Sequence, residues 1–348
     1  MADLLRAAPL AGPGPLRMRG RRIGLVLGLL GLAVLAMLAS LAVGAKPIPL
    51  DAVWSAVWAP TGTEDDIVVR SLRAPRTVLG LAVGIALGIA GALMQGHTRN
   101  PLADPGLLGV SAGAAFLVVL GIYAFGITSL YGYVWFSFVG ALGASVAVFT
   151  LGAVSRDGPT PVTLALAGVA VSALLGAFTS ALVLIDLQTL DAFRFWAVGS
   201  LAGRDAEIAA QVAPFLAVGL LLALINAPGL NLLSLGEDVA RGLGVNLAVT
   251  RWTGLAAVTL LTGAATAACG PIGFVGLVVP HVCRVITGPD HRWLIPASGL
   301  AGAVLLLAAD VVGRVVVRPG ELQVGIVLAL VGAPFFVALV RRRRLMTL

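Results

Sequence analysis

The chain has 348 residues, of which 59% are hydrophobic and only 11% are charged, and its mean hydropathy is +1.02. Soluble domains usually carry about 25% charged residues and are less than half apolar, so this composition excludes a soluble enzyme, a disordered regulator and a disulfide scaffold. The composition predicts an all-α polytopic membrane protein. Because a bilayer-crossing helix needs about 20 apolar residues, ten crossings would leave only short loops and tails.

Ten apolar runs are predicted to be transmembrane helices. The first is not expected to be a cleaved signal peptide, because it is too long and further spans follow it. The eighth is short for a full crossing and is expected to be broken or tilted. The predicted organisation is a basic N-terminal tail at 1–22, a transmembrane domain at 23–340 and a basic C-terminal tail at 341–348. In chain order, the runs are 23–44, 75–96, 106–125, 133–154, 162–184, 208–227, 248–268, 273–287, 292–312 and 323–340.

The distribution of charge predicts the orientation of these spans. Ten crossings put both chain ends on one side, and that side then has a net charge of +9, against −2 on the other. Basic loops face the cytoplasm, so both termini are expected there. The sequence pI near 10.6 could also suggest a nucleic-acid partner. That interpretation is not favoured, since the arginines cluster at the chain ends beside apolar spans.

Glycines recur at intervals of four in the second span, at Gly80, Gly84 and Gly88, with Gly91 just after. This spacing puts small residues on one helix face and lets a second backbone approach closely. Tight helix packing is the expected role, and lining a wide pathway is the alternative.

The chain lacks an evident energy source of its own. Lys46 is the sole lysine, so no phosphate-binding G-x-x-x-x-G-K-[ST] loop exists. Ion-coupled carriers bury ionisable groups in the membrane. Here the acidic residues lie in loops or near span ends, and Asp186, Asp290 and Asp310 are expected to be solvated at the interface. If the protein pumps, a partner supplies the energy.

The segment 231–246 is predicted to form a short helix on the cytoplasmic surface. Ser234 and Glu237 match the S-x-x-E capping box that starts a helix. Apolar residues at intervals of four then form one face, and glycines end the helix in a left-handed turn. The helix is either interfacial or a docking site for a partner. Its apolar face is Leu235, Val239 and Leu243, and its end is Gly242 and Gly244.

The stretch 95–109 has the sequence of a tight cytoplasmic turn. Asn100-Pro101 and Asp104-Pro105 each disfavour helix at the residue before proline. Asp104 is expected to cap the third span, with Pro105 at its first position.

No metal site is predicted. His281 follows Pro280 and has no second histidine or carboxylate at ligand spacing, so it is expected to be structural. His97 and His291 are expected to lie in loops.

Five stretches together resemble the FecCD family, the permease subunits of ABC importers for ferric siderophores, haem and cobalamin. The similarity runs from about residue 45 to the C-terminus. The stretches are Leu72-Arg-Ala-Pro-Arg-Thr77, 95–109, 231–246, Gly270-Pro-Ile-Gly-Phe-Val-Gly-Leu-Val-Val-Pro-His281, and Glu321-Leu-Gln-Val-Gly-Ile326 with Gly332-Ala-Pro334.

The resemblance implies a ten-helix permease fold with inverted repeats in a bacterial cytoplasmic membrane. It implies a second permease, identical or paralogous, two ABC ATPase subunits and an extracytoplasmic solute-binding protein. ATP and Mg would be on the ATPase, with no cofactor in this chain. A ferric siderophore is the expected cargo, with cobalamin or haem as alternatives. An ion-coupled secondary transporter, a scaffold or sensor for an ABC complex, and a membrane-embedded enzyme remain rival classes.

The resemblance also implies roles for individual residues. Arg73, Arg76 and Arg314 match arginines that form salt bridges with the binding protein, and anchoring to lipid headgroups is their alternative role. The ATPase-coupling residues are Ser234, Leu235, Gly236, Glu237, Val239, Ala240, Arg241, Leu243 and Gly244. The cytoplasmic turn and inner gate comprise Asn100, Pro101, Asp104, Pro105, Thr160 and Thr163.

Overall fold

The structure is a computed structural model that describes residues 15–127, 129–154 and 160–341. Most of both predicted tails, residues 1–14 and 342–348, therefore lies outside the described residues. Regular structure in the described part is helical. The α-helices are α1 (Pro15–Ala42), α2 (Leu50–Trp58), α3 (Glu64–Ile67), α4 (Ala74–Thr98), α5 (Val110–Phe125), α6 (Leu130–Val154), α7 (Pro161–Ile185), α8 (Leu187–Ala197), α9 (Ala206–Leu233), α10 (Glu237–Gly242), α11 (Leu247–Cys269), α12 (Val275–Thr287), α13 (His291–Val316) and α14 (Val324–Arg341).

Each of the ten predicted spans coincides with one apolar helix, which confirms the membrane-protein fold class. In the described part of the chain, seven helical segments are long and apolar enough to cross a bilayer, and α5, α12 and α14 are shorter apolar helices. Two boundaries differ from the prediction by more than four residues. The first helix begins at Pro15 rather than at residue 23, and the sixth span, α9, continues through Pro228 to Leu233 rather than ending at residue 227. Membrane helices tolerate such interior prolines.

The eighth span is short, as predicted. Helix α12 has 13 residues, a length of about 20 Å, whereas the hydrocarbon core is about 30 Å thick. The non-helical segment 270–274 precedes it. A Cβ atom at Gly276 would lie 3.2 Å from the carbonyl oxygen of Leu87, so α12 begins part-way along α4.

The glycine stripe of α4 serves tight packing, as expected. A Cβ atom at Gly84 would lie 2.6 Å from the Cα of Ala303, and one at Gly88 would collide with the carbonyl oxygen of Ser298. Gly91 meets Gly276 in the same way. The α4 backbone therefore lies directly against α13 and α12, and α4 forms the buried centre of the bundle.

Helix α4 also defines two ends of the molecule. The arginine end is where α4 begins, near Arg76. The α10 end is where α4 finishes, near His97, which contacts Asn226 of α9, the helix that leads into α10. Arg22 of α1 donates to the carbonyl oxygen of Thr287 at the α10 end. Helix α14 starts at the arginine end, where the Gly325 amide donates to the Gly199 carbonyl oxygen, and runs towards the α10 end. The outermost spans thus have their chain ends on one side.

Candidate functional site

Five charged residues form a compact group at the arginine end. Arg73 ends the π-helical turn Val68–Arg73 that leads directly into α4, and Arg76 lies in the first turn of α4. Asp310 and Arg314 come from α13, one turn apart, and Glu321 follows that helix. Pro75 occupies the first turn of α4, where proline is favoured because its missing N–H would be unpaired anyway. We call these residues, Arg73, Arg76, Asp310, Arg314 and Glu321, the arginine cluster.

Asp310 is the centre of the arginine cluster. Its carboxylate is 1% exposed and accepts from Arg76, with a closest Nη2–Oδ1 distance of 2.7 Å. It also pairs with Arg314, at 2.8 Å between Nη2 and Oδ2. Arg76 reaches Glu321 as well, at 2.8 Å. Since a buried ion needs close partners to offset the loss of its hydration, these contacts hold α4 and α13 together.

The remaining arginine donors bind the end of α1. Arg73 donates to the carbonyl oxygens of Leu41 at 2.7 Å and Ala42 at 2.8 Å, and also to that of Lys46. Arg314 donates to the carbonyl oxygens of Ser40 and Val43 and to the Ser40 hydroxyl. The last carbonyls of a helix lack partners within the helix and carry partial negative charge, so cations stabilise them.

These contacts correct one expectation about the acidic residues. Asp310 is not solvated at the interface, because it is buried between two arginines. The sequence contains a signal for this, an Asp and an Arg four residues apart within an apolar helix. Asp186 and Asp290 also have structural roles, since they cap α8 and α13 through the backbone amides of Thr189 and Arg292. Arg73 and Arg314 are buried, although they lie at helix ends.

A cavity of about 420 Å³ opens beside the arginine cluster. Lys46 lies on its wall and forms ion pairs with Asp65 at 2.8 Å and Glu64 at 3.4 Å. The hydrogen bond with Asp65 raises the pKa of Lys46. Four cationic and two anionic side chains line this cavity, which leaves an excess of positive charge; they are Lys46, Arg73, Arg76, Arg314, Glu64 and Glu321.

At the α10 end, the predicted capping box is wrong. Ser234 ends α9 rather than starting a new helix, and its hydroxyl donates to the carbonyl oxygen of Asn231 at 2.7 Å. Helix α10 begins at Glu237 after Gly236, which has φ +110° and provides no side-chain cap. The sequence pattern failed because α9 extends through Pro228 and uses Ser234 at its own end.

The predicted apolar surface and glycine turn are present. The amides of Gly244 and Val245 donate to the carbonyl oxygens of Arg241 and Ala240, which is the Schellman arrangement, with Gly244 at φ +83°. Ala240, within α10, is fully buried. Three apolar side chains in and beside α10 are about half exposed; they are Leu235, Val239 and Leu243.

Side-chain contacts fix α10 to the bundle. Glu237 pairs with Arg251 of α11 at 2.6 Å and lies 3.9 Å from Arg241. Below α10, the Asn231 amide donates to Asp290 at 2.8 Å, and Asp290 pairs with Arg22 of α1 at 3.2 Å. We call residues 231–246, which include α10, the α10 segment. These contacts connect the α10 segment to α1, α11 and α13.

The 95–109 stretch forms the expected turn, but Asp104 does not cap the third span. Asp104 accepts from the Gly106 amide at 2.8 Å and starts the separate 3₁₀ turn Pro105–Leu108, and α5 begins only at Val110. Pro105 is in the first turn of that 3₁₀ element. Burial raises the pKa of Asp104. The Asn100 side chain accepts from the Leu102 amide at 2.9 Å and orders the turn that Pro101 begins.

Thr160 and Thr163 form the start of α7. Thr160 is the N-cap, and its hydroxyl accepts from the Thr163 amide at 3.2 Å, with Pro161 at the first helical position. The two hydroxyls also lie 3.1 Å apart.

The predicted loop positions of two histidines are wrong, because both lie in helices. His97 lies in the last turn of α4 and bonds to Asn226 at 3.0 Å, and His291 begins α13 and bonds to Asn231 at 3.0 Å. His281 is buried in α12. In the ranges that the structure describes, no three or more His, Cys, Asp or Glu side chains are placed to hold a metal ion.

Comparison with known proteins identifies the family. The model of the FecCD transport family matches residues 32–342. The chain belongs to the FecCD transport family. It is a permease subunit of an ABC importer and is not itself an enzyme, which excludes the self-powered secondary transporter and the membrane-embedded enzyme as rival classes. Membership in this family implies ATPase and binding-protein partners.

Named relatives and a solved structure agree with this assignment. The ferric enterobactin transport system permease protein FepD of Escherichia coli (strain K12) is 47% identical over 317 residues, which cover 91% of this chain and 94% of FepD. The hemin transport system permease protein HmuU of Yersinia pestis is 40% identical over 329 residues, covering 92% and 96%. An inward-facing metal-chelate type ABC transporter has a TM-score of 0.82 at 32% identity, covering 92% of this chain and 99% of that one.

Proposed function

We propose that this permease imports ferric siderophore chelates across the bacterial cytoplasmic membrane, as half of a two-permease pathway. The observation that carries the proposal is the 47% identity to FepD, a permease of ferric enterobactin, over 91% of the chain. The 40% identity to HmuU makes haem the second candidate cargo. Cobalamin is a third, because a cobalamin permease is 42% identical over 81% of the chain.

Uptake into proteoliposomes tests the cargo. The permease is reconstituted with its ATPase and with the binding protein encoded beside it, and uptake of a ⁵⁵Fe-labelled siderophore chelate, haem and cobalamin is measured with and without ATP. ATP-dependent accumulation of the ferric chelate alone is the expected result. Accumulation of haem or cobalamin in its place would reassign the cargo.

The α10 segment is proposed to seat in a cleft of the ATPase. Three apolar side chains stand exposed there on a charged surface, and the segment is joined to three spans of the bundle. Replacing Leu235 and Val239 with aspartate is expected to release the ATPase during purification. Trp54→Asp, an exposed site at the arginine end, is the control. A double variant that purifies with a full complement of ATPase would contradict the docking role.

Both termini are proposed to be cytoplasmic, with the α10 end facing the ATPase. The support is the charge bias of the sequence and the helix parity, which puts Arg22 and α10 on one side. Single cysteines at Arg22 and at Thr61 should react with a membrane-impermeant maleimide from opposite sides in oriented vesicles. Labelling of both from one side would refute this topology.

The arginine cluster is proposed to receive the solute-binding protein through acidic side chains. The cavity beside it has more cationic than anionic side chains, and Arg73 has no carboxylate of this chain within ion-pair distance in the described ranges. Arg73→Glu is expected to reduce the stimulation of ATPase activity by the binding protein about tenfold or more, since a charge pair becomes a repulsion. Arg70→Glu is the control on the neighbouring exposed position. Unchanged stimulation in the Arg73 variant would remove the proposal.

A further inference from the structure

A second, smaller cavity of about 190 Å³ lies at the arginine end. It is bounded by α6, α8, the segment 198–205 and the start of α14. That segment is fixed to its neighbours, because the Ser200 amide donates to the Cys269 carbonyl at 2.7 Å and the Gly325 amide donates to the Gly199 carbonyl at 3.1 Å. The polar residues on the wall are Tyr133, Trp196, Ser200, Arg204 and Gln323.

Arg204 is a buried cation without a counter-ion among the residues that the structure describes. Arg204 is 8% exposed, and its Nε donates a long hydrogen bond of 3.4 Å to the Ser200 carbonyl oxygen. Within the described residues no carboxylate lies within 4.0 Å of its guanidinium. The neighbouring Asp205 is engaged elsewhere, with the Ile208 amide and the Tyr131 hydroxyl. Burial lowers the pKa of Arg204 by desolvation.

Trp196 contributes a second unpaired donor. Its side chain is 3% exposed, and among the described residues its indole Nε1–H has no hydrogen-bond partner. Buried polar groups in folded proteins are paired in the large majority of cases. The indole nitrogen is donor-only, and so is a guanidinium. An unpaired indole N–H and an arginine without a counter-ion among the described residues therefore line the same small cavity.

We propose that this cavity binds an oxyanion at the periphery of the transported chelate, such as a carboxylate or a catecholate oxygen. The inference rests on the proposed siderophore function and specifies the chemical class of the cargo as anionic. An occupant must supply acceptors and negative charge, because Arg204 and Trp196 supply only donors and positive charge. Ligand pockets usually hold about 300–1,000 Å³, so this smaller cavity receives one arm of a chelate rather than the whole molecule.

The position of the cavity fits this role. It lies at the same end as the arginine cluster, where the binding protein is proposed to deliver cargo. Phe195, 61% exposed, stands on the same wall and offers an aromatic surface beside the charge. An oxyanion at Arg204 would therefore be held at the rim while the rest of the chelate stays outside the cavity.

Transport of two ferric chelates of different charge tests the proposal. The complete reconstituted complex is assayed with an anionic ferric tricatecholate and with an uncharged ferric trihydroxamate, each delivered by its own binding protein. Arg204→Gln is expected to lower tricatecholate uptake about tenfold or more and to leave trihydroxamate uptake within about twofold, since charged hydrogen bonds are the strong ones. Trp196→Phe, which removes only the indole N–H from an aromatic side chain, should lower tricatecholate uptake about threefold.

Matched variants separate binding from folding. Arg204→Lys keeps the charge and should retain part of the tricatecholate uptake. Arg70→Gln removes an exposed arginine that does not line the cavity, and should change neither uptake. In thermal unfolding of the native complex, ferric tricatecholate should raise Tm, and it should not do so in Arg204→Gln. A structural role would instead lower the Tm of Arg204→Gln without ligand.

Several outcomes would overturn the proposal. Equal loss of both chelates in Arg204→Gln, or no loss of either, refutes oxyanion binding. A native complex that transports only the uncharged chelate refutes the anionic class, and one that transports no ferric chelate refutes the proposed function itself. Repeating the assay in liposomes with and without phosphatidylglycerol identifies a lipid headgroup as the occupant if the Arg204→Gln defect appears only with the anionic lipid.

Discussion

Asp310 and Arg76 are 234 positions apart in the chain, yet the carboxylate of one lies 2.7 Å from the guanidinium of the other. Both side chains are buried or nearly so, and Arg314 binds the same carboxylate from one turn further along α13. This pair joins the two most intimately packed helices of the bundle at the end where cargo is proposed to arrive. Removal of the Asp310 carboxylate would leave Arg76 and Arg314 facing each other without the anion between them.

Asp310→Asn is expected to destabilise the protein by about 3–5 kcal/mol, because it removes the negative charge between two buried cations. The measurement is the midpoint of thermal unfolding of the purified permease in detergent. Glu321→Gln is the control, since Glu321 is 42% exposed and its pair with Arg76 should contribute only about 0–1 kcal/mol. Similar midpoints for the two variants would show that Asp310 is not the centre of the cluster.

Gly88→Ala is expected to destabilise the bundle by about 1–3 kcal/mol, because the added methyl group would collide with the Ser298 carbonyl oxygen and separate α4 from α13. The thermal midpoint is again the measurement. Gly24→Ala in α1 is the matched control, since it meets no atom within 4 Å. Alanine favours helix over glycine by about 1 kcal/mol, so this control should unfold at the same temperature or higher.

Gly244→Ala is expected to loosen the α10 segment, because alanine at φ +83° costs about 1–2 kcal/mol. The turn that follows α10 should fray, and less ATPase should co-purify with the variant at a fixed concentration of detergent. Gly242→Ala provides the comparison, because Gly242 is helical and no atom lies within 4 Å of an added Cβ. Equal recovery of ATPase with both variants would show that ATPase binding does not depend on the left-handed turn at Gly244.

Glu237→Gln is expected to weaken the connection between α10 and α11 by about 1 kcal/mol, since it replaces a charged partner of Arg251 at 2.6 Å. The binding-protein-stimulated ATPase rate should fall about fivefold while ATPase binding persists. Asp238→Asn is the control, because Asp238 is 99% exposed and lies 3.7 Å from Arg241. If the binding protein stimulates ATPase activity equally in the two variants, the motion of α10 reaches the bundle by a route other than the Glu237–Arg251 pair.

The spans and their parity could be predicted because they depend on local composition. Apolar length identifies the ten spans, and the glycine spacing in α4 correctly indicates close packing against another helix. The short α12 was also evident from the length of its apolar run. Each of these features is contained in one continuous stretch of sequence.

Errors arose where a local pattern competes with a contact from far along the chain. Ser234 and Glu237 have the spacing of a capping box, but Glu237 binds Arg251, and Ser234 closes the helix before it. Asp310 looked interfacial because its partner Arg76 is in a different span. His97 and His291 fall one residue outside the predicted spans 75–96 and 292–312, whereas α4 and α13 include them.

Helix α1 contributes little to the core, and only 11% of its most apolar window is buried. It is nevertheless anchored at both extremities. Arg73 and Arg314 hold the carbonyls around Ala42, and Arg22 holds the start of α13 through Asp290. Helix α1 therefore runs along the outside of the bundle beside α13 and is bound to α13 at both membrane faces. A tilt of α13 must carry α1 with it, so rearrangement at one membrane face is transmitted to the opposite face along a route that bypasses the interior.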